Sequence, residues 1–199
     1  ARSEVIPRQH AQRLLPMIEE LLGERQLRLQ DVDALVFGRG PGAFIGVRIA
    51  TGMVQGLAFA ADKPVIAVSN LAALAQRAWR EHGTDTVAAA IDARMDEVYW
   101  GLYRLRDGVM QLLDEERVCA PEAVSLPAGV SSVAGAGTGW QYAERLAVSA
   151  TQSWPQMLPD ASDLITLALP RWQAGEVVDA ADAQPVYLRD KVATPKGQA

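Results

Sequence analysis

The first 80 residues alternate between helical and strand-like apolar patterns, and that alternation restricts the fold more than any other feature of the chain. Ala11, Leu14, Leu15, Ile18, Leu21 and Leu22 recur at i, i+3, i+4 and i+7, which predicts an amphipathic helix over 8–22. Pro7 suits its first turn and Gly23 its end, while Pro16 in the interior predicts a kink. Asp33 to Phe37 is a short apolar run and reads as a buried strand. A tight turn, Gly38-Arg39-Gly40-Pro41-Gly42, leads into a second helix over about 43–61. Val65 to Val68 reads as the next strand and Asn70 to Trp79 as the next helix, with Asn70 as its N-cap. This order defines an α/β arrangement with some parallel pairing.

The second half opens with a strand over Val87 to Ile91. Glu97 to Tyr103 alternates as a strand does, and Asp107-Gly108 supplies a hairpin turn to Met110–Leu113. Ser132 to Ala136 is another short strand. Asp160 to Trp172 reads as a helix with Leu164, Ile165, Ala168, Leu169 and Trp172 on one face, ended by Gly175. The tail from Lys191 is polar.

Charge narrows the function. The 199 residues carry a net charge of -5 with 22% charged and 49% hydrophobic residues, ample for a core. An acidic balance argues against the basic surface that independent, tight nucleic-acid binding requires, so any link to nucleic acid should run through a partner. Cys119 is the single cysteine, which excludes an internal disulfide and fits a reducing cytoplasm; its plain surroundings suit a bystander. No apolar leader is visible at Ala1-Arg2-Ser3-Glu4. The stretch Ala43 to Ala61 contains Arg48, Thr51, Gln55 and glycines, and reads as a packed helix rather than a membrane span.

Few constellations carry chemistry. Glycines from Gly38 to Gly46 lie between a strand and a helix, where phosphate loops occur. Strict templates fail, because Gly46 is followed by Val47-Arg48 rather than Lys-Ser or Lys-Thr, and no dinucleotide spacing fits. Gly40, Gly42 and Gly46 therefore stand as structural or vestigial. In the next helix Gly52, Gly56 and Ala60 are spaced by four, a stripe without bulk. Two readings are open: packing within the chain, or a face for a second protein. His10 and His82 are far apart and form no metal motif. Asp92, Asp96 and Glu97 cluster near a strand end, as a metal–nucleotide site or as a simple turn.

Four stretches, in order along the chain, resemble one family. Gly38 to Ile49 is similar to the signature G-x-G-P-G-S-F-T-G-V/L-R-I of the TsaB (YeaZ) family, with Ala43 and Ile45 in place of its Ser and Thr. Ile6 to Pro16, Ala90 to Trp100 and Pro185 to Arg189 also match, and Gly137-Thr138-Gly139-Trp140 fits. The resemblance implies a two-lobed, actin-like and ribonuclease H-like fold. Residues 1–80 would form the first lobe with partner-binding helices, and 81–199 the second, whose tail can return to the first. It implies a β-hairpin ahead of Ala1 as well. The implied function is a non-catalytic subunit with no cofactor or metal of its own. It would bind and activate TsaD for threonylcarbamoyl transfer to the adenosine beside the anticodon, in tRNAs reading codons that begin with A. TsaE joins through the complex, tRNA is met only there, and the chain alone forms a homodimer in the cytoplasm. The alternative is an ATPase or glycoprotease-like hydrolase in its own right. The implied contact surface comprises His10, Arg13, Leu14, Met17, Leu21, Gly52, Met53 and Gly56.

Overall fold

The computed structural model describes residues 1–5 and 9–189. The features read at Ile6, Pro7, Arg8 and the tail from Lys191 lie outside the described residues. The expected alternation is present. Helix α1 (His10–Glu24) continues through Pro16 and past Gly23, so that glycine does not end it. Strand β1 (Leu35–Gly38), helix α2 (Phe44–Ala61), strand β2 (Val65–Val68) and helix α3 (Asn70–His82) follow. Strands β1 and β2 pair in parallel, Leu35 opposite Val65. Helix α2 covers one side through Val54 and Ala58, which join Phe37 and Val65 in a small core.

The second sheet is larger. It contains β3 (Thr86–Arg94), β4 (Glu97–Arg106), β5 (Val109–Leu112), β6 (Arg117–Cys119), β7 (Ala134–Ala136) and β8 (Ser153–Trp154). The order is β5-β4-β3-β7-β8, with β6 on the edge of β4. Asp107 and Gly108 both adopt positive φ, as a two-residue turn between β4 and β5 demands. Helix α3 packs on this sheet, with Leu71, Leu74 and Ala75 in the core beside Val87 and Tyr103. Helix α4 (Ala161–Gln173) packs on α3 and also on β1 and β2. The chain is thus a two-lobed α/β protein.

One cap and one helix face separate sequence from structure. Ser69, not Asn70, caps α3: its hydroxyl accepts from the Leu71 and Ala72 amides. Asn70 instead sends its side chain into the glycine turn, donating to the Pro41 carbonyl at 3.1 Å. On α4 the covered face is Asp163, Leu167 and Ala168, whereas Ile165, Leu169 and Trp172 point outward. Asp160 caps α4 by accepting the Ser162 amide at 2.9 Å, and that bond holds its carboxyl below the usual range. A lowered value means stability present above the ordinary pKa of about 4 and lost as pH falls through the folded one. Asp160→Ala should therefore cost about 1 kcal/mol at neutral pH, with the gap closing in acid, as urea melts at several pH values would show.

Candidate functional site

Helix α2 has two unlike sides. Val47, Thr51, Val54, Ala58 and Ala61 are buried. Opposite them Gly52, Gly56 and Ala60 are exposed, together with Ile45 at 68% and Phe59 at 84%. A Cβ added at Gly52 or Gly56 would meet nothing within 4 Å, so packing within the described chain does not require either glycine. Of the two readings of this stripe, internal packing finds no contact at Gly52 or Gly56 among the described residues. By length and composition α2 could cross a membrane, yet its Val54 and Ala58 pack against β1 and β2 as in any globular core. Glycine inside a helix costs about 1 kcal/mol relative to alanine. Gly52→Ala is accordingly expected to raise the stability of the isolated chain by up to about 1 kcal/mol, read from the denaturation midpoint.

The α1 residues are placed differently. None of this helix is buried. Arg13 pairs with Glu4 at 2.9 Å and Glu20 at 2.7 Å, contacts that raise its guanidinium pKa, while Arg2 reaches Glu20 and Glu24. Exposed pairs of this kind contribute little, because water screens them. His10, Leu14 and Met17 line an open cavity of about 460 Å³ shared with residues 2–5 and with the start of α4. Leu21 on α1 and Met53 on α2 are half-buried. The structure therefore gathers three of the predicted contact residues around a cavity and sets Gly52 and Gly56 on an outward face. Ile45 and Phe59 were missed; both lie in the apolar α2 stretch, but only the fold says which side faces out.

Around the glycine turn, protein atoms fill the space that small residues leave. A Cβ at Gly38 would stand 2.1 Å from Asn70 Oδ1, and one at Gly42 3.4 Å from Asn70 Nδ2. Gly40 has φ +98°, and its Cβ would stand 3.1 Å from the Val186 carbonyl oxygen. Gly46 meets only Ala43, at 3.9 Å. Arg39 reaches across to Glu116 at 3.7 Å, a side chain 7% exposed. The Ser69 and Tyr103 hydroxyls donate to the same carboxylate. Burial, then the Glu116 charge, pushes the Tyr103 phenol well above its usual range.

The acidic cluster is internally paired. Asp92 accepts the Arg94 amide at 2.9 Å and the Tyr142 hydroxyl at 3.3 Å, and Asp96 pairs with Arg145 at 3.0 Å. Glu97 opens β4 and pairs with Arg189. His82 stacks on Trp154 at 4.0 Å. Among the described residues no group of three His, Cys, Asp or Glu is placed to hold a metal ion. Cys119 is half-buried, and burial raises its thiol, which makes it a poor nucleophile at neutral pH.

A family model described as TsaD: tRNA N6-adenosine threonylcarbamoyltransferase matches residues 3–193, which sets the class as TsaD-like proteins of the actin-like, ribonuclease H-like fold. The tRNA threonylcarbamoyladenosine biosynthesis protein TsaB of Escherichia coli K12 is 42% identical, over 98% of this chain and 87% of its own length. TsaB of Haemophilus influenzae is 39% identical, over 98% and 86%. A solved structure, YeaZ from Pseudomonas aeruginosa, aligns with TM-score 0.91 at 58% identity, covering 93% of this chain and 87% of that one. The chain belongs to the TsaB (YeaZ) family of tRNA threonylcarbamoyladenosine biosynthesis proteins.

Proposed function

We propose that this chain is a non-catalytic subunit that binds and activates TsaD for threonylcarbamoyl transfer to the adenosine beside the anticodon. One observation carries the reading: α2 turns Gly52, Gly56, Ile45 and Phe59 to solvent with open space above the glycines. A ridge without side chains lets a second backbone approach closely, and exposed apolar residues beside it gain by being covered. The half-buried Arg13, Leu14, Met17 and Leu21 with exposed His10 extend the surface along α1, and Met53 along α2. TsaE and tRNA join through the complex, in the cytoplasm, and the same face serves a homodimer when TsaD is absent. A subunit without cofactor or metal is consistent with a glycine turn whose hollow side holds Asn70 and Val186.

Gly56→Leu is expected to weaken the TsaD complex by about tenfold or more while the isolated chain melts no lower than the parent, because a Cβ at this position meets no neighbour and the helical glycine penalty is removed. Calorimetric titration beside a thermal melt reads both. The decisive assay is tRNA modification by TsaD, TsaE, the adenylate donor and tRNA with and without this protein. Full modification in its absence, or ATP turnover by the protein alone, overturns the proposal and favours an independent enzyme.

A further inference from the structure

We infer that residues 183–189 form a strap that locks the two lobes together through the glycine turn, with a releasable catch at Arg189. The strap touches four separate elements in seven residues. Gln55 Nε2 of α2 donates to the Ala183 carbonyl at 3.0 Å. The Val186 amide donates to the Arg39 carbonyl at 2.9 Å, and the Val186 carbonyl lies over Gly40. Arg48 donates to the Tyr187 hydroxyl at 3.0 Å with its guanidinium 3.6 Å from the Phe44 ring centre, and the Phe44 and Tyr187 rings are 5.7 Å apart. All of these anchors belong to the first lobe.

The last anchor is on the second. Arg189 pairs with Glu97, donates to the Arg94 carbonyl at 3.3 Å and approaches the Met95 sulfur at 3.3 Å. The turn it grips holds Arg94, Met95 and Asp96 at φ +61°, +55° and +58°, a run that non-glycine residues disfavour and that contacts must maintain. Between the two ends, Arg39 contributes twice: its carbonyl takes the strap and its side chain crosses to Glu116 of the second lobe.

The two ends differ in strength. The first-lobe end rests on one backbone hydrogen bond at Val186, on the Gln55 and Arg48 side-chain bonds, and on Ala183, which is fully buried. The second-lobe end rests on one arginine side chain, 15% exposed, paired with Glu97, 35% exposed. The second-lobe hold is a single side chain against several independent contacts at the first-lobe end, so the strap opens at Arg189 first. Opening there loosens the hold between the lobes and leaves Val186 over Gly40 tied by its single backbone bond to Arg39, so that cover lifts more often. This device belongs to the isolated chain and holds whatever docks on α2.

Amide hydrogen exchange on the full chain tests it. Arg189→Gln and Glu97→Gln should each speed exchange of the Val186 amide by about five- to tenfold, and the double variant no further than either alone. The Asn70 amide, bonded to the Gly40 carbonyl at 2.9 Å and untouched by the strap, should speed as well. Core amides such as Ala89 should not change, which shows that the variants remain folded. An unchanged Val186 amide overturns the inference. So does a faster Val186 with an unchanged Asn70, since the strap would then be a tether and not a lock.

Discussion

Gly137→Ala should lower stability by about 3–5 kcal/mol, a large loss for a single methyl group. Two penalties add at this site. The residue has φ +100°, where an L side chain is strained, and its added Cβ would stand 2.4 Å from the Ala90 carbonyl oxygen and 2.7 Å from a Leu74 methyl. The carbonyl belongs to β3 at the centre of the sheet and has no room to retreat. Gly135 and Gly139 are similarly confined: a Cβ on the first would overlap the Trp140 indole at 2.3 Å, and on the second the Ala90 Cβ at 2.7 Å. Trp140 is itself fixed, its indole nitrogen donating to the Ala88 carbonyl at 2.8 Å. Gly108→Ala is the control, because that residue also has positive φ, +79°, but nothing within 4 Å. It should lose only about 1 kcal/mol. Denaturation followed by tryptophan fluorescence gives both values, and equal losses would show that φ alone matters.

Arg80→Ala comes second, at about 3–5 kcal/mol. Arg80 makes two 2.8 Å bonds to the oxygens of Asp163, joining α3 to α4. The pair is lopsided: the Asp163 side chain is 1% exposed and the Arg80 side chain 43%. Removing the arginine strands a buried carboxylate whose hydrogen bonds both come from that residue. Removing the aspartate leaves a cation that can turn toward water, so Asp163→Ala should cost less, about 2–3 kcal/mol. The carboxylate holds the guanidinium above its usual pKa, the direction expected of a closely paired cation. A larger loss for Asp163→Ala than for Arg80→Ala would refute this ordering.

Regular periodicity made much of the fold readable. Strand β2 begins and ends as its apolar run does, and the Asp107-Gly108 turn follows from the conformational freedom of its residues. Strands β6 and β8 were not readable, since three and two residues are too short for an alternating pattern. Helix α4 carries two apolar stripes at similar spacing, so sequence did not separate covered Leu167 and Ala168 from outward Ile165 and Trp172. Ser69 and Asn70 are both capping residues, and the choice between them was made by the glycine turn, which uses the Asn70 amide. The stripe at Gly52 and Gly56 was visible as spacing, but its exposure depends on which side of α2 meets β1 and β2. The strap was legible only as a motif match at Pro185 to Arg189. Its contact between Arg48 and Tyr187 spans 139 residues, beyond the reach of local pattern.

With α2 in the docking role proposed above, its bare ridge sets heat resistance against assembly. Alanine at 52 and 56 fits the open space and removes the glycine penalty twice over, by roughly 2 kcal/mol in total. A laboratory selection for survival at high temperature, applied to the lone chain, would therefore favour those substitutions early. Each adds a methyl group to the groove that a closely packed neighbour needs empty. Variants evolved for hardiness alone should emerge tougher and more solitary, and the same selection run with the partner present should leave both glycines in place.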